Sequence, residues 1–103
     1  MVSVIYSTTS TIENARTIAR ALVKEKLVAC VNIIPTIESI YRWQGKIEEG
    51  RECVLIAKTT EQNVEKTIQK IRELHPYDVP DIVVFPPVGG LKEYLEYVED
   101  ETA

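Results

Sequence analysis

Only a few side chains of this 103-residue chain belong to the types that bind soft or borderline metal ions: Cys30, Cys53, His75 and Met1. Cys30 is the best candidate ligand, because thiolates suit copper and zinc and copper(II) leads the divalent affinity order. The alternative is that Cys30 simply packs, since free cysteine is among the most buried residue types. The chain has no C-x-x-C or H-x₃-H spacing, so a metal site would have to combine ligands from several copies.

His75 precedes Pro76 at the expected end of a helix, and two carboxylates, Asp78 and Asp81, follow it. An imidazole with nearby carboxylates suits a hard or borderline cation. We therefore group His75 and Asp81 with Cys30 as candidate metal ligands, with copper(II) or another divalent ion as the loosely bound cofactor. The alternative interpretation makes His75 a helix-terminal cation and the aspartates ordinary turn residues.

A second group of candidates consists of Tyr41, Trp43, Glu52 and Lys58. In an oligomer these side chains would line a cleft between subunits, where Lys58 binds an anionic small molecule, Glu52 is its counter-charge and the aromatic rings form the wall. The alternative is packing within a hairpin, where aromatic residues stabilise cross-strand pairs.

Other kinds of chemistry find little support in the sequence. A single histidine without a readable serine or cysteine partner gives no catalytic triad, and Gly89-Gly90 lacks the lysine of a phosphate-binding loop. The net charge is −4 without a basic stripe, which argues against nucleic acid as a partner. We expect a protein that is not an enzyme. Because no leader and no apolar run of 18 residues is present, we also expect a cytoplasmic protein with reduced thiols and no membrane partner.

The elements that must position these residues follow the order β-α-β-β-α-β. In chain order we predict a strand at 2–7, a helix opened by the capping box Ser10-Thr11-Ile12-Glu13 and ending near Lys26, two strands at 29–43 and 46–58, a helix from 59–62 to His75, a short buried strand at 81–86 and a final helix near 91–98. Two helices in this strand order predict an α+β sandwich with a ferredoxin-like fold, in one domain covering residues 1–103.

The two central strands are long for a domain of this size. At about 3.3 Å per residue the first would span roughly 50 Å, whereas a globule of about 100 residues measures roughly 35 Å across. With Gln44-Gly45 as a two-residue turn, the hairpin should project beyond its own domain and need a partner. In that register Trp43 faces Lys46, Cys30 faces Thr59 and Cys53 faces Thr36. The two thiols then lie roughly 20 Å apart, too far for a disulfide within one chain.

Both faces of the central strands are apolar. Val54 and Ile56 lie on one face, and Leu55 and Ala57 lie on the other. A sheet covered on one side should alternate with polar residues, so the second face needs a cover. Since the final helix is short, a second copy of the chain is the simplest cover, and we expect a homo-oligomer.

Three segments in this order resemble one family. They are Ala29-Cys30-Val31-Asn32-Ile33, Ser39-Ile40-Tyr41-Arg42-Trp43-Gln44-Gly45-Lys46 and His75-Pro76-Tyr77-Asp78-Val79-Pro80, joined by Glu52 and Lys58-Thr59-Thr60. With them the chain resembles the CutA family of divalent-cation-tolerance proteins. The family usually has glutamate where this chain has Asp81, which shortens the reach of that carboxylate, and tryptophan where Tyr97 stands.

The resemblance implies a ferredoxin-like homotrimer whose long hairpins pair sheets between subunits. It also implies a link to tolerance of copper and other divalent cations, with copper binding in some members and no established enzymatic activity. Such trimers are similar to PII-type signalling proteins, which bind small effectors between subunits. Our first hypothesis is therefore a trimeric, metal-binding, copper-tolerance protein. The alternatives are a PII-like signalling trimer with an anionic effector in the cleft, or an inert structural trimer acting as a scaffold.

Overall fold

A four-stranded antiparallel sheet in the order β2-β3-β1-β4 organises the computed structural model, which describes residues 1–103. The elements are β1 (Val2–Thr9), α1 (Ile12–Lys24), β2 (Cys30–Trp43), β3 (Lys46–Thr60), a 3₁₀ turn (Glu61–Asn63), α2 (Val64–Leu74), β4 (Ile82–Phe85) and α3 (Lys92–Glu101). The predicted β-α-β-β-α-β order and α+β class are confirmed, and this strand order is the ferredoxin-like one.

Helix α1 begins one residue later than predicted. Thr11, rather than Ser10, has extended backbone and caps the helix by accepting a hydrogen bond from the Asn14 N–H at 3.1 Å. The predicted Ser10–Glu13 box is therefore wrong, because two neighbouring hydroxyl residues both fit the cap and the chain direction selects the second. The helix ends at Lys24, and Lys26 at φ 59° reverses the chain towards β2.

The main core lies between the two longer helices and one face of the sheet. Ile5 of β1, Leu55 of β3 and the helix residues Ile18, Leu22 and Ile71 are all at most 2 % exposed. Burying each of these aliphatic side chains stabilises the fold by about 1.5–3 kcal/mol. The alternation along β3 places Leu55 and Ala57 on this face, as the period-two pattern predicts.

The second face of the sheet is covered only at one end. There α3 packs Val98 against Val2 and Ala29. Along β4, Val83 and Phe85 remain 44 % and 52 % exposed. The predicted strand at 81–86 is present as Ile82–Phe85, but its predicted burial is wrong for a single chain, because β4 is an edge strand bonded to β1 alone and has a cover on one side only.

The long hairpin projects from the domain as predicted. β1 pairs with β3 only from Cys53 onwards, so the first half of β3 is bonded to β2 alone. The molecule consequently measures 44 × 26 × 22 Å. The turn has Gln44 at φ 50° and Gly45 at φ 78°, the two positive values of a type I′ turn, whose twist matches that of the flanking strands.

A β-bulge interrupts the hairpin near its middle. The predicted pair Trp43–Lys46 is present, but one extra residue of β2 is accommodated between Ile34 and Ile37. Beyond this bulge Cys30 faces Lys58, not the predicted Thr59. The bulge coincides with a proline, which has no N–H for the ladder.

The bulge also decides the surroundings of the second cysteine. The prediction that Cys53 faces Thr36 is wrong, because Cys53 lies at the bulge. Its thiol donates a hydrogen bond to the Pro35 carbonyl oxygen at 2.9 Å. Burial, then the nearby carboxylates of Glu13 and Glu52, raise the pKa of the Cys53 thiol. Both cysteines are free, as expected from their separation along the ribbon.

Candidate functional site

An open cleft of about 800 Å³ lies where the projecting hairpin meets the loop that follows α2. Its aromatic walls are Tyr6, Tyr41, Trp43 and Tyr77. Its carboxylates are Glu38, Glu52, Asp78 and Asp81. We call this the aromatic cleft. Two strands of the hairpin, β1 and the 75–81 loop all contribute, so the cleft exists only because the ribbon overhangs the domain.

His75 fixes the loop that forms one wall of the cleft. The side chain is buried, its Nε2 lies 2.6 Å from the Thr8 carbonyl oxygen, and its Nδ1 lies 3.2 Å from the Tyr77 backbone nitrogen. Because the Tyr77 N–H can only donate, Nδ1 accepts and Nε2 carries the proton that goes to Thr8. Both ring nitrogens are therefore engaged, and a metal ion would have to replace one of these hydrogen bonds.

Tyr77 bridges the loop to the hairpin. Its hydroxyl donates to the Glu52 Oε2 at 2.8 Å, and its ring lies edge-on to His75 with the centroids 4.7 Å apart. Burial, then the hydrogen bond to Glu52, raise the pKa of the Tyr77 phenol above its usual range. The phenol is consequently a neutral donor at physiological pH, and Glu52 is held facing the cleft.

The carboxylates of the cleft form no salt bridge within the chain. The lining of the cleft contains four carboxylates and no lysine or arginine. The salt bridges of the protein involve Met1, Lys70 and Lys92 and none of these carboxylates. Asp81 makes only a 3.5 Å contact with the Thr8 hydroxyl. The electrostatics of the cleft therefore favour a cationic ligand.

Cys30 lies in a different cluster, at the domain end of the hairpin. Its sulfur is 3.4 Å from the Tyr94 hydroxyl on α3, and its cross-strand neighbour Lys58 donates a hydrogen bond to the Asn32 side chain. The hydrogen bond to Cys30 raises the pKa of Tyr94 to about 12. Cys30 is partly exposed, so packing alone does not account for its position.

The two predicted groups of site residues are divided differently in the structure. The aromatic cleft brings together five of them, drawn from both groups: His75, which anchors its loop, and Tyr41, Trp43, Glu52 and Asp81, which line it. Cys30 and Lys58 share the other cluster. On β1, Val4 faces Lys58 and Thr8 faces Val54, so the clusters lie roughly 13 Å apart along the sheet. No three histidine, cysteine or acidic side chains of one chain are grouped as a metal site.

The sequence alone could have shown that Glu52 and Lys58 do not share a site. Glu52 and Lys58 lie six positions apart on one strand, which means roughly 20 Å, the same reasoning that separated the two cysteines. Two wall residues, Tyr6 and Tyr77, were not among the predicted cleft residues. Tyr77 belongs to the His75–Pro80 segment and so carried a signal, whereas only the tertiary structure shows that Tyr6 reaches the cleft.

Comparison with known proteins agrees with this architecture. The family model "CutA1 divalent ion tolerance protein" matches residues 3–101. The chain belongs to the CutA1 family. The divalent-cation tolerance protein CutA of Thermus thermophilus is 47 % identical over 99 % of both chains, and its solved structure superposes with a TM-score of 0.97 over the full length of each. The resemblance seen in the sequence is thereby confirmed.

CutA relatives differ from this chain in length. The chloroplastic CutA protein of Arabidopsis thaliana is 40 % identical over 96 % of this chain, but the match spans only 54 % of the plant protein. The CutA1 family is named for ion tolerance and not for a reaction. In the structure described here, no helix has both the length and the apolar character required to cross a bilayer.

Proposed function

We propose that this protein is a divalent-cation-tolerance protein that binds divalent metal ions, copper(II) foremost, as a homotrimer. The observation that carries the proposal is the aromatic cleft, whose four carboxylates form no salt bridge within the chain. Family membership supports the same class of ligand. The proposed ligands are Cys30, His75 and Asp81, supplied by more than one subunit.

Assembly is part of the proposal because one chain does not bring these ligands together. Cys30 lies roughly 13 Å along the sheet from the His75 and Asp81 end. The projecting ribbon and the exposed Val83 and Phe85 on the second face provide surfaces on which further copies can pack. In a closed ring of three, one subunit's Cys30 could complete a site begun by another's Asp81.

We further propose that the protein works in the cytoplasm and catalyses no reaction. The two free thiols support a reducing compartment. The side chain of the only histidine is engaged by Thr8 and Tyr77, with no serine or cysteine nucleophile bonded to it, which supports a binding role.

A signalling trimer with a small effector is the second candidate, because a cleft of this size with aromatic walls suits a small molecule. The anionic effector that we inferred from Lys58 has little support, since Lys58 bonds to Asn32 outside the cleft. The carboxylates lining the cleft would repel an anion. A purely structural trimer is the third candidate.

Thermal unfolding of the metal-stripped protein with copper(II), zinc(II) or magnesium(II) tests the metal proposal. A ligand that binds only the folded state stabilises it by about 2.7 kcal/mol at one hundred times its Kd. We expect a copper-selective rise in Tm that is reduced in Cys30→Ser and in Asp81→Asn. The control is Asp100→Asn, which removes an equally exposed carboxylate on α3.

The variants also separate the alternatives. A copper shift lost in Asp81→Asn but intact in Cys30→Ser would confine the site to the cleft and remove Cys30 from the proposal. A protein whose Tm responds to no metal would sink the metal proposal and favour the structural trimer. Sedimentation of the same samples would show whether the mass is that of three chains.

A further inference from the structure

We propose that the aromatic cleft binds a linear aliphatic polyamine, a flexible organic cation with several charges along one chain. This inference goes beyond metal binding: it uses the same cleft and shares Asp81 with the proposed metal site, but it requires neither Cys30 nor a bound metal ion. It also reverses the charge of the effector that the sequence suggested, because the structure places Lys58 elsewhere. Three properties of the cleft point to this ligand: its aromatic walls, the distribution of its charge and its volume.

The walls of the cleft suit an alkylammonium ion. Tyr41 and Trp43 of β2 present rings that are 50 % and 43 % exposed, and Tyr77 faces them from the 75–81 loop. The face of an aromatic ring attracts ammonium groups, tryptophan most strongly. The same rings pack against the methylene segments between the charges of a polyamine. A bare metal ion would gain nothing from this apolar surface.

The carboxylates are spread along the cleft and do not converge on one point. Glu52 comes from β3, and Asp78 and Asp81 come from the loop, whereas Glu38 lies on the face of β2 opposite Tyr41 and faces Arg51 across the ribbon. They do not form a group of three that could hold a metal ion within one chain. Separated negative charges complement a ligand whose positive charges are also separated, because each ammonium group can then meet its own carboxylate.

The hydrogen bonds at the cleft leave acceptor capacity free. Glu52 receives one hydrogen bond, from Tyr77, through Oε2. Asp81 receives one long contact from Thr8. A carboxylate has about four lone-pair sites, so both can accept ammonium N–H groups without losing these bonds. The two hydrogen bonds of the His75 ring fix the loop that carries Asp78 and Asp81.

The volume of the cleft also selects the class of ligand. About 800 Å³ lies within the range of roughly 300–1,000 Å³ that small-molecule sites occupy, and greatly exceeds a single hydrated ion. Inorganic anions and nucleotides are disfavoured by the absence of any lysine or arginine in the lining.

Trp43 is the only tryptophan of the chain and therefore reports directly on the cleft. We would titrate the metal-free protein with spermidine, butylamine and magnesium(II) at constant ionic strength and follow tryptophan fluorescence and heat. We expect a saturable change with spermidine, at least tenfold weaker binding of butylamine, and no comparable response to magnesium. Asp81→Asn and Asp78→Asn should each weaken spermidine binding several-fold.

Glu65→Gln, which removes an exposed carboxylate of α2 outside the cleft, is the matched control and should leave the affinity unchanged. Equal affinity for spermidine and butylamine, or an equal loss in Glu65→Gln and Asp81→Asn, would reduce the effect to general charge attraction and overturn the inference. Spermidine binding without a metal-induced rise in Tm would contradict only the metal proposal. A metal-induced rise in Tm without spermidine binding would contradict only the polyamine proposal.

Discussion

At the scale of single residues, His75 is the side chain on which the cleft depends most. It is buried at the end of α2 and held in one tautomer by Thr8 on one side and the Tyr77 backbone on the other. Its first role in this structure is to fix the loop, and any metal binding would compete with that role. A helix-terminal role and metal ligation are the two interpretations of His75 that the sequence allows, and the contacts explain why the residue lies at this boundary.

We expect His75→Ala to lower the free energy of unfolding by about 2 kcal/mol, because a buried acceptor at Thr8 and the donor at Tyr77 lose their partner. Urea unfolding measures this change. His75→Gln, which can replace one of the two hydrogen bonds, should lose less. Equal stability of the wild type and His75→Ala would contradict the role of His75 in fixing the loop.

Tyr77 gives a pH-dependent prediction. Because folding raises its pKa, the native state favours the neutral phenol. Its contribution to stability is complete below the ordinary tyrosine pKa of about 10 and is lost as the pH rises above that value. In a spectrophotometric pH titration, the last part of the tyrosinate absorbance appears only at high pH and forms a tail of the curve. We expect Tyr77→Phe to remove part of that tail. Tyr97→Phe, which removes a tyrosine without a carboxylate partner, should leave that tail in place.

At the scale of elements, the hairpin is the feature that makes the cleft. Its length projects Tyr41 and Trp43 beyond the domain, and its bulge sets which residues of β2 face β3. The projecting half has neighbours only within the ribbon, so its turn is important for keeping the rings in register. A two-stranded ribbon is marginal in water without further packing.

The turn can be tested with two glycines of the same hairpin. Gly45 has φ 78°, whereas Gly50 lies in the extended part of β3, and neither has an atom within 4 Å of an added Cβ. Gly45→Ala should therefore destabilise the ribbon by about 1–2 kcal/mol through backbone strain alone, and Gly50→Ala should not. Amide exchange of residues 38–50 measures the effect. Faster exchange in Gly50→Ala alone would contradict the assigned turn.

At the scale of the whole molecule, the second face of the sheet is the largest unexplained surface of a single chain. α3 covers only the end near Val2, and β4 leaves Val83 and Phe85 open. Apolar side chains on an edge strand invite pairing with another chain. This surface supports the homotrimer that we propose.

Two valines with equal exposure test whether this face is an interface. Val83 on β4 and Val23 on α1 are both 44 % exposed. We expect Val83→Lys to shift the protein from trimer towards monomer, because a charge would be buried in the interface, while Val23→Lys leaves the assembly unchanged. Sedimentation velocity measures both. A Val83→Lys protein that stays trimeric would place the interface elsewhere.

The amino-acid sequence alone determined the elements, their order, the ferredoxin-like topology and the overhanging hairpin. These follow from local signals: apolar periodicity, caps, the Gln44-Gly45 turn and strand length. Even the separation of Glu52 from Lys58 is a matter of strand geometry, since each residue advances the chain by about 3.3 Å.

Only the tertiary structure decided which candidates share a site. Tyr6, Glu52 and Asp81 are far apart in the chain and meet because β1 lies between β3 and β4 under the projecting ribbon. The one-residue bulge placed Cys30 opposite Lys58; Pro35 marks the position of the bulge, but the size of the register shift follows only from how the two strands pair. The acidic character of the cleft arises in the same way, because net charge is a property of composition, whereas the field at a site depends on which charges folding brings together.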